Sequence, residues 1–428
     1  MKELLLEEFK DKKVLIWGLG REGNSTYRLL RSLLPDQLLY ICDNKADLSS
    51  YDNTVKVLQE DLVFDDYDII MKAPGIICDR HDNITGQTDI FLKHFKNNVI
   101  GITGTKGKST TSSLTYHILH NYYPNSFLVG NIGVPCFEIL DKMNEDSIVV
   151  FELGCHQLEF SKHSPHVAII LNIYEEHLDH YHTFENYYQT KLRAVRYQNE
   201  NDIALINKDI EYDTKAKVYL LGKDIRNENN TLIFNDDRVI IEDTKLIGEH
   251  NYYNMAICYA IGRLYGLSDD DIKKAIASFK PLEHRLEPFL KVNGITYVND
   301  SISTINETCI MAIKALKDVD TVLIGGLVRH IDYHLLEDFI GDCDVKHIIL
   351  MYDSGRRIYD EMKDKKGFER CYLVKDLQQA CDLAISLCHS GICLLSPAAA
   401  SYDHFKNFEE RGAIFKAMVK KHYGLSDN

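Results

Sequence analysis

The segment GITGTKGKSTT, residues 101–111, combines glycines, a lysine and hydroxyl side chains in the manner of a phosphate-binding loop. Its spacing differs from the Walker A motif G-x-x-x-x-G-K-[ST], because Ile102 stands where the first glycine is expected. The loop N–H groups can still cradle phosphates, Lys108 adds a positive charge, and Ser109 or Thr110 can reach Mg²⁺. An apolar strand pattern precedes the segment and an amphipathic helix pattern follows it. This context favours a nucleotide phosphate site over a plain surface turn.

Two residues at the ends of neighbouring strand patterns are candidate ligands of Mg²⁺. Glu152 ends the pattern SIVVFELG, and His177 follows the pattern VAIILN. Each alone fits a solvated strand end or an ordinary loop histidine. Together, after a phosphate loop, they favour a metal site, because open α/β sheets bind ligands at the carboxyl ends of their strands. The sequence spacing alone does not indicate a functional role for Lys191, because the side chain of a lysine on a helix normally extends to solvent.

A second glycine-rich segment, GLGREG, lies near the N-terminus. Gly18, Gly20 and Gly23 follow a strand pattern and open a helix pattern, and Asp43 stands about 20 residues further on. Glycines so placed let the backbone approach a diphosphate at a helix N-terminus. The motif is compatible with three interpretations: it binds a nicotinamide dinucleotide, it binds another nucleotide diphosphate, or it is a tight turn that binds no ligand.

Polar residues later in the chain are candidate nucleotide contacts. Asn251 and Asn254 stand three residues apart at the start of a helix pattern, where they could read an adenine edge. Capping of that helix by Asn251 is an equal alternative. Arg285 could clamp phosphates, and Asp300, after a strand pattern, suits a hydrogen bond from a ribose hydroxyl.

The elements that must position these residues alternate between strand and helix patterns through most of the chain. This alternation predicts an α/β fold with parallel sheets flanked by helices. Three ligand-type loops in separate segments predict three domains: a Rossmann-like domain over residues 1–89, a P-loop-type ATPase domain over 90–281, and a Rossmann-like domain over 282–428. Residues 220–246 are predicted to form a β-rich insertion.

The amino-acid composition disfavours several classes of partner and site. The formal net charge of −15 over 428 residues disfavours nucleic-acid or acidic-membrane partners, since both need a basic face. The 11 cysteines include no C-x-x-C pair, which indicates reduced thiols rather than disulfides or zinc. We find no signal-peptide pattern and no long apolar run, so we expect a cytoplasmic protein.

In this order the motifs resemble the Mur ligase family along essentially the whole chain. The resemblance rests on GITGTKGKSTT, GNIG, ELGCHQLE, EEHLDHY, TKLRA, GEHNYYN, HR, NDS and LLSPAAASYDHFKNFEERG. The last segment resembles the subgroup that adds glutamate to UDP-N-acetylmuramoyl-L-alanine. The resemblance implies an ATP- and Mg²⁺-dependent amide ligase of peptidoglycan synthesis, in which ATP converts a carboxylate to an acyl phosphate and the amine of D-glutamate attacks it. It also implies a monomer that acts on small molecules.

The resemblance further implies a role for each candidate residue, with UDP rather than NAD in the first domain. The residues implied to bind ATP are Gly104, Thr105, Gly107, Lys108, Ser109, Thr110, Asn251, Asn254, Arg285 and Asp300. Those implied to bind the UDP-substrate are Gly18, Gly20, Gly23, Asp43, Asn44, Asn131 and Gln157. Those implied to hold glutamate are Thr304, Arg329, Ser401 and Phe408. The implied Mg²⁺ ligands, with a second Mg²⁺ expected, are Ser109, Glu152, His177 and a carbamylated Lys191; the implied catalytic residues are Lys108, His177 and Lys191.

Three departures from the family pattern concern the choice of amino acid. Ile302 follows NDS where many D-glutamate adders have lysine, and Arg329 replaces a carboxylate-holding lysine. Gly154 and Cys155 replace two hydroxyl residues. L-glutamate as acceptor therefore remains an alternative. Two further alternatives for the function are a nucleotide-binding regulator that lacks catalysis and, from the GLGREG segment alone, a dehydrogenase.

Overall fold

The computed structural model describes residues 1–44, 47–328 and 332–425. Its strands form three mainly parallel sheets with flanking helices, which confirms the predicted α/β fold. The chain divides into two compact units, residues 1–244 with 252–279 and residues 245–251 with 280–428. The first two sheets share one unit, so the boundary near residue 89 stays a prediction. No helix among these residues combines the length and apolarity that crossing a bilayer requires.

The strands and helices have the following bounds. The strands are β1 (Val14–Trp17), β2 (Leu39–Cys42), β3 (Thr54–Lys56), β4 (Ile69–Lys72), β5 (Ile84–Thr85), β6 (Val99–Thr103), β7 (Ser126–Gly130), β8 (Ile148–Glu152), β9 (Val167–Ile170), β10 (Ile203–Asn207), β11 (Lys217–Leu221), β12 (Ile225–Glu228), β13 (Thr231–Phe234), β14 (Asp237–Ile240), β15 (Glu287–Val292), β16 (Ile295–Asn299), β17 (Val319–Ile324), β18 (His347–Leu350), β19 (Cys371–Leu373) and β20 (Gly391–Leu395). The α-helices are α1 (Lys2–Phe9), α2 (Arg21–Leu33), α3 (Gln87–Phe95), α4 (Lys108–His120), α5 (Cys155–Leu158), α6 (Leu178–Tyr181), α7 (Phe184–Arg196), α8 (Glu249–Leu264), α9 (Asp269–Ser278), α10 (Asn306–Ala315), α11 (His334–Asp342), α12 (Tyr352–Met362), α13 (Leu377–Leu387) and α14 (Phe408–His422).

The first sheet has the order β3-β2-β1-β4-β5 and is parallel throughout. Its central strand β1 is the continuous apolar run VLIW, and all four residues are buried. A run of this kind suits a strand whose two faces are both covered, as in parallel sheets.

The second sheet has the order β14-β13-β12-β11-β10-β9-β6-β8-β7. Strand β6 lies between β8 and β9, with Ile102 paired to Glu152 and Thr103 to Ile170. The carboxyl ends of these three strands therefore meet at one edge, where the candidate ATP loop begins. Strands β12 to β14 form an antiparallel meander at the far side of the sheet, in agreement with the predicted β-rich insertion.

The third sheet, in the second unit, has the order β15-β16-β20-β17-β18-β19. Only β15 is antiparallel to its neighbour. The carboxyl end of β16 lies beside that of β20, because Asn299 pairs with Leu395. This pairing brings the segments NDS and SPAAAS, which follow the two strands, to the same edge of the sheet.

Candidate functional site

The predicted phosphate loop connects β6 to α4. Gly104 has φ 151° and Gly107 has φ 90°, so both adopt backbone conformations that favour glycine. A Cβ on Gly107 would stand 2.9 Å from Asn254 Oδ1, which shows how closely α8 approaches the loop. Ser109 and Thr110 lie in the first turn of α4, where backbone N–H groups have no partner within the helix. The local geometry suits an anion.

Asn172 fastens this loop, a role that the sequence analysis missed. Its side chain accepts a hydrogen bond from Lys106 N at 2.9 Å and donates one to Lys106 O at 3.0 Å. Its backbone oxygen accepts one from Thr105 N at 2.9 Å. Two of the loop N–H groups that were predicted to cradle phosphates, those of Thr105 and Lys106, therefore bind Asn172 instead. Its position, directly after the pattern VAIIL, is the signal that could have revealed it.

Lys108 and Lys191 converge on the phosphate loop. Lys108 Nζ donates to Gly104 O at 3.0 Å and to Thr105 O at 2.9 Å. Lys191 Nζ, reaching from α7, donates to Gly104 O at 2.8 Å and lies 4.9 Å from the ring centroid of Tyr187. Lys191 is 1% exposed, so the alternative of a solvent-extended helix lysine is wrong.

Burial changes the ionisation of both amines. Burial and, after it, the nearby Lys108 charge lower the pKa of Lys191 to about 7. The pKa of Lys108 is lowered by burial as well, although Glu152 opposes this shift. A lysine with a pKa near neutrality is partly uncharged at pH 7, and an uncharged amine is a nucleophile.

Glu152 ends β8 beside this loop and is fully buried. Its Oε1 accepts a hydrogen bond from Asn131 Nδ2 at 2.9 Å, and its backbone oxygen accepts one from Asn131 N at 3.1 Å. Its Oε2 is buried without a hydrogen-bond partner among the described residues. A buried carboxylate oxygen in that state is costly unless a cation or donor joins it. The residue therefore fits a Mg²⁺ ligand.

His177 lies in the connection between β9 and α7, with φ 59°. Its side chain is 43% exposed, and its Nε2 is 3.8 Å from Glu176 Oε2. Its ring packs edge-on against His156 with 5.0 Å between centroids. Burial lowers the pKa of His177, which favours the neutral imidazole that binds metals.

The predicted UDP-substrate residues lie in the same unit. Gly18 has φ 89°, Gly20 precedes α2, and Gly23 packs against the backbone of Gly18. Asp43 Oδ2 accepts a hydrogen bond from Leu19 N at 2.7 Å, which fixes the turn.

Two further residues of this group make side-chain contacts. Asn44 Nδ2 donates to Gln59 Oε1 at 3.2 Å. Gln157 Nε2 donates to Glu22 Oε1 at 2.6 Å, and its Oε1 accepts from Gly154 N at 2.9 Å. Burial raises the pKa of Glu22, a residue that the sequence analysis also missed.

The second unit holds other predicted nucleotide residues. Asp300 accepts hydrogen bonds from Ser396 Oγ at 2.8 Å and Leu286 N at 3.1 Å. Burial raises its pKa to about 7, and the neighbouring Arg285 charge opposes that shift. The alternative that Asn251 caps α8 is wrong, because α8 begins at Glu249 and Asn251 lies inside its first turn, where its Nδ2 donates to Ile247 O at 2.7 Å.

Three of the four predicted glutamate residues follow the two strands of the edge shared by β16 and β20: Thr304 follows β16, and Ser401 and Phe408 follow β20. Thr304 is half-buried, Ser401 is buried, and Phe408 begins α14. Phe408 O accepts a hydrogen bond from Ser301 Oγ at 2.8 Å. Arg329 lies outside the described residues.

Arg411 ties the two segments of this edge together. It is fully buried, and burial lowers its pKa to about 10. Its guanidinium donates to Ser301 Oγ at 3.0 Å, to Ser301 O at 2.8 Å and to Ala399 O at 3.0 Å. The sequence analysis quoted this arginine within FKNFEERG without giving it a role.

Comparisons with known proteins agree with this geometry. Residues 102–262 match the family described as the Mur ligase middle domain. The UDP-N-acetylmuramoylalanine–D-glutamate ligase of Lachnospira eligens is 32% identical over 451 residues, covering 96% of this chain and 99% of the relative.

Solved structures share the fold at lower identity. The UDP-N-acetylmuramate-alanine ligase of Thermotoga maritima is 18% identical with a TM-score of 0.58, covering 96% of this chain and 99% of that one. The MurF ligase of the same organism, in complex with ADP, is 18% identical with a TM-score of 0.56, covering 90% and 96%.

Proposed function

The chain belongs to the Mur ligase family, and we propose that it joins D-glutamate to UDP-N-acetylmuramoyl-L-alanine as an ATP-dependent ligase of peptidoglycan precursor synthesis. The substrate pair is that of the Lachnospira eligens relative, which aligns with this chain almost from end to end. The co-substrate is supported by the phosphate loop and by the ADP-bound neighbour of the same fold.

The observation that carries the proposal is the gathering of Lys108, Lys191 and Glu152 at the start of α4. A free carboxylate is a poor acyl donor because its leaving group would be oxide, whereas an acyl phosphate loses phosphate. Transfer of the γ-phosphate brings several anionic oxygens together. A buried ammonium held at the loop, as Lys108 is, stabilises such charge far better than an exposed one.

Mg²⁺ fits this cluster. The partnerless oxygen of Glu152 offers a hard anionic ligand, and the hydroxyl of Ser109 and the imidazole of His177 are the other candidates. When bound with ATP, Mg²⁺ neutralises phosphate oxygens and makes the γ-phosphorus more electrophilic. A second Mg²⁺ is part of the proposal.

We propose that Lys191 is carbamylated. Its neutral amine attacks CO₂, forming an N–C bond and releasing one proton, and the product carries a carboxylate on nitrogen. The buried amine is suited to this step, because its pKa of about 7 leaves much of it uncharged near neutrality. The change also replaces repulsion between Lys191 and Lys108 by attraction.

The remaining substrate contacts follow the sequence analysis. In this proposal the GLGREG turn, Asp43, Asn44, Asn131 and Gln157 hold the UDP-substrate, so NAD has no part. Thr304, Ser401, Phe408 and Arg329 hold glutamate. We propose the cytoplasm as the location of the protein, because the reaction uses ATP and a UDP-sugar. We also expect the protein to be a monomer.

The alternative with L-glutamate rests on one observation. Ile302 stands where many D-glutamate adders have lysine, and Arg329 stands where the family pattern has a carboxylate-holding lysine. Arginine can bind a carboxylate bidentately, but its reach differs from that of lysine.

A substrate panel tests the function. The purified protein is incubated with ATP, Mg²⁺ and UDP-N-acetylmuramoyl-L-alanine together with D-glutamate, L-glutamate or no amino acid, and phosphate release is measured. We expect release that requires both the UDP-substrate and D-glutamate. Release with L-glutamate alone would establish the alternative, and release that ignores the UDP-substrate would refute the ligase proposal. A silent regulator would bind ATP without forming product in a single turnover.

A further inference from the structure

Three potential metal ligands lie together in the second unit, and none of them has a part in the proposed reaction. His334 and Glu337 stand three residues apart on α11, and Glu361 lies on α12. One ligand atom from each lies within 4.8 Å of the ligand atoms of the other two. We refer to these three residues as the carboxylate–histidine cluster.

The two carboxyl groups of the cluster each have one oxygen without a partner among the described residues. Glu337 is 1% exposed, and its Oε1 makes no hydrogen bond within the described part of the chain. Glu361 Oε2 is likewise buried and without a partner there. Buried acceptors without a donor or cation are costly, particularly on an acidic side chain.

The other oxygens of these carboxyl groups are already engaged. Lys365 Nζ lies 2.6 Å from Glu337 Oε2, and Arg357 Nε lies 2.8 Å from Glu361 Oε1. His334 Nδ1 lies 3.1 Å from Glu337 Oε2. Lysine and arginine thus orient the carboxyl groups from outside, as the outer partners of metal ligands commonly do.

The contact between the carboxyl groups needs something positive between them. One ligand atom of Glu337 lies within 4.8 Å of one ligand atom of Glu361. Two ionised carboxylates repel each other, and Lys365 and Arg357 offset this repulsion only from outside, so a shared proton or a bound cation between the carboxylates is favourable. The imidazole of His334 at the same place favours the cation, because a proton shared by two carboxyl groups needs no third ligand.

We propose that the carboxylate–histidine cluster binds a divalent transition metal of the Zn²⁺ or Mn²⁺ class. One imidazole nitrogen and two carboxylates suit these ions, whereas Mg²⁺ prefers an all-oxygen shell that includes water. The side chain of His334 is 69% exposed, which gives an ion access and leaves room for water as a further ligand. The metal fastens the start of α11 to α12. This inference does not depend on the proposed ligase activity.

Co²⁺, which has visible absorption bands, is the probe for this site. Metal-stripped full-length protein is titrated with Co²⁺ in the absence of ATP, and bound Zn²⁺ is then measured by competition. The variants are His334→Ala and Glu361→Gln. The matched control is Asp360→Asn, which removes the same charge one residue earlier on α12 from an exposed side chain paired with Lys363.

We expect wild type and Asp360→Asn to bind one equivalent of Co²⁺ that both test variants bind at least about tenfold more weakly. Zn²⁺ should raise the melting temperature of wild type and of the control, but not that of the test variants. Any Co²⁺ bound near Glu152 is common to all four proteins and cancels in the comparison.

Equal Co²⁺ binding by wild type and His334→Ala would overturn the proposal. His334 is largely exposed, so its replacement leaves the fold intact even if Glu361→Gln unfolds the unit. Absence of this equivalent from wild type, together with unchanged or higher stability of Glu361→Gln, would show that the carboxyl groups share a proton instead.

Discussion

Lys108 and Lys191 donate hydrogen bonds to the same acceptor, the backbone oxygen of Gly104, at 3.0 Å and 2.8 Å. Two ammonium groups on one buried carbonyl repel each other, and burial disfavours both charges. The pKa of Lys191 falls to about 7 as a result. The arrangement therefore favours one charged amine, at Lys108, and one neutral amine, at Lys191.

The first prediction concerns Lys191→Ala. We expect a loss of kcat of about 100-fold, because the variant lacks the amine that forms the proposed carbamate ligand. Added bicarbonate should restore wild-type enzyme assayed in CO₂-depleted buffer but leave the variant unchanged. Phosphate release measures both effects, and Lys217→Ala, at an exposed lysine, is the control. Variant activity within about twofold of wild type would count against a carbamylated ligand.

The second prediction concerns Glu152→Gln. Its Oε1 would still accept from Asn131, but the partnerless anionic oxygen would be replaced by an amide. We expect kcat/KM to fall by about 100-fold and half-maximal activation to require more Mg²⁺. The measurement is a Mg²⁺ titration of phosphate release, with exposed Glu145→Gln as the control. An unchanged Mg²⁺ requirement would remove Glu152 from the metal site.

Local sequence patterns were sufficient to predict the strand–loop–helix unit at residues 99–120. An apolar strand, a glycine-rich turn and a helix pattern are adjacent in sequence, so the placement of Lys108 needed no knowledge of the rest of the fold. Glu152 was also predictable, because strand ends in a parallel sheet share one edge.

Other features depend on contacts between distant segments. A lysine on a helix gives no sequence signal that it is buried, and Lys191 is buried only because α7 packs behind the phosphate loop. The bonds of Arg411 to Ser301 and Ala399 span 110 and 12 residues, and hydrophobic periodicity carries no information about such links. The carboxylate–histidine cluster likewise joins two helices whose relative register the sequence does not encode locally.

The third prediction separates backbone strain from steric exclusion in the phosphate loop. Gly107→Ala places a Cβ 2.9 Å from Asn254 Oδ1 at φ 90°, whereas Gly266→Ala meets nothing within 4 Å at a similar φ of 80°. Both should lose about 1–2 kcal/mol from the left-handed backbone alone. Only Gly107→Ala should lose ATP affinity as well, measured by calorimetry. Equal ATP affinity in the two variants would show that the loop does not contact the nucleotide.

The fourth prediction concerns Arg411→Lys. Lysine keeps the charge but cannot donate in three fixed directions to Ser301 and Ala399. We expect a loss of about 3 kcal/mol in the free energy of unfolding and a rise in KM for glutamate larger than the change in kcat. Exposed Arg356→Lys is the control. A lower stability with unchanged KM would limit Arg411 to holding the fold.

The last prediction uses the ionisation of Asp300, whose pKa burial raises from 3.8 to about 7. A carboxyl group with a raised pKa stabilises the fold while protonated, and this contribution is lost as the pH rises from about 4 through 7. Asparagine has the shape of the protonated acid: its oxygen can accept from Leu286 N, and its amide can donate to Ser396 Oγ.

Asp300→Asn should therefore gain stability over wild type as the pH rises from 5 to 8, by at most about 2.7 kcal/mol, because roughly two pKa units of this rise lie above pH 5. The free energy of unfolding in urea, measured at both pH values, tests this. Asp342→Asn, at an exposed carboxylate, should show no such trend. A difference between Asp300→Asn and wild type that stays constant with pH would mean that Asp300 is ionised throughout, and that bonds from Leu286 and Ser396 outweigh the cost of burying its charge.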